Sequence, residues 1–166
     1  MKHHSVIRCV LAGILATFTA LAGAGTCDVV YNAAAKSVQA PHHLFTTTTR
    51  AGKTTTSESL YAGGVEYAQV KGVWQRSQLT AEEMLETAKE NLASSPDTCT
   101  APVQKTVDGQ QVDVFQVQSR ETGSRSEVRV LNASGLLQGQ SLKLPNGAQV
   151  ETRYEYGNVP PPPNVQ

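Results

Sequence analysis

The chain has 166 residues, with 14 Lys and Arg against 14 Asp and Glu, and only 5% of its residues are aromatic. Near-neutral charge with no Lys/Arg cluster excludes nucleic acid as a natural partner, because phosphate binding relies on a basic footprint. Three cysteines and four histidines leave little material for a metal centre.

The first 25 residues read as a secretory signal peptide. Lys2 and Arg8 form a basic region, Val10 to Ala22 is a mostly apolar run, and Ala22-Gly23-Ala24 offers small residues for cleavage. The apolar run is shorter than the ~20 residues a bilayer span needs and lacks stop-transfer charge, so no transmembrane segment is expected in the mature chain. Cys27 is preceded by Ala24-Gly25-Thr26 and not by the Leu-Ala-Gly-like triplet of a lipid-modified cysteine. Export would remove Cys9 and leave Cys27 and Cys99 in an oxidising compartment, where a disulfide between them is the expected outcome, with free or metal-binding thiols the lesser alternative. Three stretches follow: the leader 1–25, one domain over 26–159, and a Pro-rich tail over 160–166.

Residues 27–39 are the first helix candidate, with Val30, Ala34 and Val38 on one face and Pro41 marking the end. HHLFTTTTR, KTTTSESLY, VEYAQV and VWQRS then read as strands, separated by Ala51-Gly52, Gly63-Gly64 and Lys71-Gly72. Residues 80–94 are the second helix: Thr80 and Glu83 make a capping box, and Ala81, Met84, Leu85, Ala88 and Leu92 form an apolar stripe. Beyond it, VQKTV and QVDVFQVQS flank Asp108-Gly109, RSEVRVL is a further strand, and LLQGQSLKL and AQVETRYEY flank Asn146-Gly147 as a second two-residue hairpin. The expected inward positions are Leu60, Tyr67, Phe115, Val117, Leu142 and Leu144. About nine strands and two helices, with no βαβ alternation, predict an antiparallel α+β domain.

The last strand alternates strictly, with Val150, Thr152, Tyr154 and Tyr156 on one face and Gln149, Glu151, Arg153 and Glu155 on the other. Pro160 to Pro163 lack N–H donors, cannot extend a ladder, and favour an extended polyproline segment that leaves the domain.

Signals of chemistry are sparse. Ala51-Gly52-Lys53-Thr54 resembles the end of a phosphate-binding loop, but Thr47 stands where that motif needs glycine, and no helix follows. His42 and His43 are adjacent in a strand and face opposite sides, so they read as a surface pair and not as metal ligands. Glu82, Glu83, Glu86 and Glu90 read as a solvated helix face. The acceptor triplet Asn132-Ala133-Ser134 carries no weight in an envelope protein of bacterial type. No catalytic residue, metal site or cofactor is expected.

The run SESLYAGGVEYAQVKGVW from Ser57 to Trp74, followed by a helix, then Gly135-Leu136-Leu137 with a hairpin, then RYEYGNV from Arg153 to Val159, resembles the envelope proteins related to LolA, LolB, LppX and the N-terminal part of RseB. That resemblance implies a strongly curved antiparallel sheet, an incomplete β-barrel, with two helices packed on its concave side. It also implies location in the periplasm of a Gram-negative bacterium and a cavity that takes a lipid or lipoprotein acyl chain. Leu60, Tyr67, Trp74, Met84, Leu85, Phe115 and Tyr154 are then the candidate lining residues. The alternative is an envelope subunit with a filled core that binds a protein partner through strand edges and the proline tail.

Overall fold

The computed structural model describes residues 26–94 and 97–165, so the leader expected over 1–25 lies outside the described residues. Two helices and ten strands follow in the order α1 (Thr26–Ser37), β1 (His42–Arg50), β2 (Lys53–Ala62), β3 (Val65–Val70), β4 (Val73–Thr80), α2 (Ala81–Ser94), β5 (Thr98–Cys99), β6 (Val103–Val107), β7 (Gln110–Gln118), β8 (Arg125–Leu131), β9 (Leu137–Lys143) and β10 (Gln149–Tyr156). The expected elements are present, with β5 as an additional short strand.

All ten strands form one antiparallel sheet in the order β4-β3-β2-β1-β10-β9-β8-β7-β5, with β6 also paired to β7. The two meanders therefore meet where the first strand pairs the last, His42 opposite Tyr156 and Thr49 opposite Gln149. The sheet does not close, which makes it a curved, incomplete barrel.

Turn chemistry sets the register. Ala51-Gly52, Gly63-Gly64, Lys71-Gly72 and Asp108-Gly109 all have positive φ at both residues, the two-residue turn whose twist matches that of the flanking strands. Asn146-Gly147 differs from the two-residue hairpin expected. The Gly147 N–H donates to the Leu144 carbonyl (3.0 Å) and Leu144 N–H donates to Ala148 (2.9 Å), so Pro145, Asn146 and Gly147 form a three-residue loop. Pro145 presets the turn and Gly147 supplies the positive φ of 80° that follows it.

Residues paired directly across an antiparallel sheet share a face. The inner face carries Phe115, Val117, Val128, Val130 and Leu137, which form one buried core with Cys27, Val30 and Ala33 of α1. α1 is fastened there twice. A disulfide joins Cys27 to Cys99 of β5. At the other end Ser37, fully buried, receives the Leu137 N–H at Oγ (2.9 Å) and lies 2.9 Å from the Tyr156 hydroxyl, which also reaches the Leu137 carbonyl (2.8 Å). α2 packs against α1 and β4. Its capping box forms: Glu83 accepts from Thr80 N–H (2.7 Å) while Glu83 N–H donates to Thr80 Oγ1 (3.2 Å). The side chains of Ala81, Ala88 and Leu92 lie outside the described residues.

Candidate functional site

The seven residues expected to line one cavity are divided between two faces. Leu60 pairs with Tyr67 and with His43, and Trp74 pairs with Gln69, which places Leu60, Tyr67 and Trp74 on the outer face. Phe115 and Tyr154 are on the inner face with α1, while Met84 and Leu85 sit half-buried on α2. The physical reason is register: the turn at Ala51-Gly52 places Tyr61, not Leu60, opposite His42, and every other residue of β2 follows.

The inner face holds an aromatic group that the sequence did not announce. His42, Tyr61, Tyr154 and Tyr156 come together, with His42 stacked on Tyr61 at 5.8 Å and tilted against Tyr154 at 5.2 Å; Tyr154 and Tyr156 stack at 5.8 Å. His42 is buried, contrary to the surface position expected for it, and its Nδ1–H donates to the Ala40 carbonyl (2.7 Å). Burial holds its pKa below the usual 6.5, which favours the neutral ring. Burial likewise raises Tyr154 and Tyr156 above the usual phenol value. His43, one residue on, points outward to Glu58 (3.0 Å) and Phe45.

Two further features are polar. Beside the disulfide, the Tyr31 hydroxyl and Asp97 Oδ1 are buried without a hydrogen bond of ordinary geometry. Burial, then the Asp97 charge, pushes Tyr31 up to about 12. On the outer face Arg129 donates to Gln138 (2.9 Å) and Glu151. Its guanidinium lies over Gly139, where a Cβ would come within 2.7 Å of Arg129 Nη2 and 2.4 Å of the Thr152 carbonyl. This network ties β8, β9 and β10 together as structure.

The outer face also bears a groove of about 530 Å³. It is lined by His43, Leu60 and Trp74, by the end of β10 and by the tail from Gly157 to Pro163. Pro162 is buried, so the tail lies along the domain and does not leave it as expected. A second groove, of about 410 Å³, is walled by polar groups such as Arg125, Glu127 and Glu151. Among the described residues no group of three His, Cys, Asp or Glu is arranged to hold a metal ion, and no helix is long and apolar enough to cross a membrane.

No family model matches the sequence, and no curated protein matches it. Solved structures do resemble the fold. MucB in complex with MucA(peri) aligns at a TM-score of 0.53 and 17% identity, covering 81% of this chain and 57% of that one. MucB alone aligns at 0.50 and 16%, covering 87% and 63%. LprF from Mycobacterium bovis aligns at 0.43 and 9%, covering 84% and 98%. The chain spans about three-fifths of the length of the MucB structures it matches. Its curved open sheet thus resembles the fold of the aligned part of MucB, in keeping with the LolA/RseB resemblance read in the sequence.

Proposed function

We propose that the chain is a binding module of the bacterial cell envelope that engages a protein segment, its core filled by its own α1. The observation that carries this reading is the packing of Val30 and Ala33 onto Phe115, Val128 and Leu137, each buried, with a disulfide at one end and Ser37 at the other. An acyl chain on that part of the inner face would have to displace α1 and lose both fastenings. Of the remainder, β1 and β2 turn Leu44 and Tyr61 inward among Thr46, Thr48, Thr55, Ser57 and Ser59, so most inward positions there are hydroxyl side chains that offer an acyl chain little apolar area.

Three considerations support the reading. MucB, part of which has a similar fold, has been solved in complex with MucA(peri). The disulfide and the leader read over residues 1–25 support periplasmic residence. The open sheet offers a β4 edge for strand addition, and the outer groove offers a place for an extended segment. Lipid binding stays as the second reading because the outer groove is partly apolar, with Leu60, Trp74 and Val159 in its walls.

In-cell crosslinking followed by purification, with lipid extraction of a parallel sample, tests the proposal. One specific protein, captured in near-equal amount, is the result expected. An acyl lipid at one per chain with no captured protein would sink it.

A further inference from the structure

Two residues of the Pro-rich tail that stand three apart, Val159 and Pro162, are less exposed than their neighbours, and Val165 beyond them is exposed. Val159 is half-buried, Pro160 and Pro161 are exposed, Pro162 is buried, and Pro163 and Asn164 are exposed. A polyproline II helix has three residues per turn, so Val159 and Pro162 lie on one of its edges, and that edge is turned toward the domain. The same outer groove is lined by Leu60, which is buried, and Trp74, a half-buried indole.

We propose that this groove recognises a proline-rich, extended segment of a protein partner, and that Val159–Pro163 occupies its rim in cis as an internal competitor. The inference deepens the partner-binding reading and rests on it. Prolines bring no N–H donors, so a segment of this kind gains nothing from pairing with a strand edge. It is held by its apolar flanks against an aromatic and aliphatic wall, at low entropic cost because the segment is already extended. Leu60 and Trp74 supply such a wall, and His43 and Glu155 supply polar groups at its margin. A partner segment carrying an apolar residue and a proline three apart would present the same edge as Val159 and Pro162 and would displace the tail.

Trp74 is the only tryptophan in the chain, so its fluorescence reports on the groove directly. The test uses a peptide copying residues 157–166, titrated into the full chain, into a chain ending at Asn158, and into full-length Pro162→Asp. The Pro162→Asp chain keeps the measurement decisive should the shortened chain fail to fold by circular dichroism. Both altered chains are expected to show Trp74 emission shifted toward that of a water-exposed indole and to bind the peptide saturably. The full chain should bind it about tenfold or more weakly, because a tethered competitor acts at high effective concentration. A peptide with Val159 and Pro162 replaced by aspartate should not bind. Three results would each overturn the proposal: no peptide binding to either altered chain, tighter binding to the full chain than to the altered ones, or a tail that docks only in a second copy, seen as a dimer lost on truncation. Loss of peptide binding with in-cell capture of a protein intact would discard this groove and leave the partner-binding reading standing.

Discussion

Ser37→Ala probes the attachment of α1 to the sheet. Ser37 is fully buried; its hydroxyl lies 2.7 Å from the Ala33 carbonyl, accepts from Leu137 N–H at 2.9 Å and meets the Tyr156 hydroxyl at 2.9 Å. Alanine removes the acceptor of Leu137 N–H and leaves that buried donor unpaired, a loss of about 1–3 kcal/mol. Tyr156 keeps the Leu137 carbonyl at 2.8 Å, so it contributes little to the loss. Higher helix propensity of alanine returns about 0.5 kcal/mol. The net expectation is a destabilisation of about 0.5–2.5 kcal/mol, seen as a lower urea midpoint at unchanged slope. Tyr156→Phe should cost about 1 kcal/mol, and the double variant should lose less than the sum, because both changes act on one network. A neutral or stabilised Ser37→Ala chain, or strict additivity with Tyr156→Phe, would refute the claim that this contact clamps α1 over the core.

Gly139→Ala should destabilise by about 1–3 kcal/mol in chemical denaturation, since its Cβ would meet the Thr152 carbonyl at 2.4 Å; Arg129→Ala should not rescue it, because the obstruction is partly backbone. Reducing the Cys27–Cys99 bond, or replacing both residues by serine, should remove about 4 kcal/mol by the loop-entropy relation for a separation of 72 residues, read as a fall in melting temperature under reductant. His42 sets a pH dependence. Its folded pKa lies below the unfolded 6.5, so the unfolded chain binds the proton first. Stability should be full above about 6.5 and decline as pH falls toward 5, where most carboxylates have not yet titrated. His42→Phe should flatten that window in pH-dependent melts, and an unchanged slope would show that another group governs it.

Much of the fold was legible because its punctuation is chemical. Four Xaa-Gly or Gly-Gly turns, the Thr80–Glu83 capping box and the strict alternation from Val150 to Tyr156 each have one local solution, and the fold uses them. What was hidden depends on register. In KTTTSESLYA the alternate positions are Thr and Ser on both faces, so no apolar stripe shows which side of β2 is covered. Tyr61 is inward and Leu60 outward only because the turn at Ala51-Gly52 pairs Tyr61 with His42. His42 itself reads as exposed because a histidine pair carries no hydrophobic signal; three tyrosines from the two strands that flank β1, one of them over ninety residues on in the chain, bury it. Arg129 over Gly139 needs two strands in register before the glycine has a visible purpose. The tail misled for another reason: four prolines do end the sheet, but the apolar edge of Val159 and Pro162 appears only when read at a period of three.

Whether the chain holds a protein segment or a lipid is read by native mass spectrometry of the full chain released gently from its own cell envelope, with extracted lipid quantified from the same preparation. The chain is expected in one-to-one complex with a protein, with lipid well below one per chain. A chain that carries one acyl lipid per molecule and no protein partner would contradict the partner-binding reading.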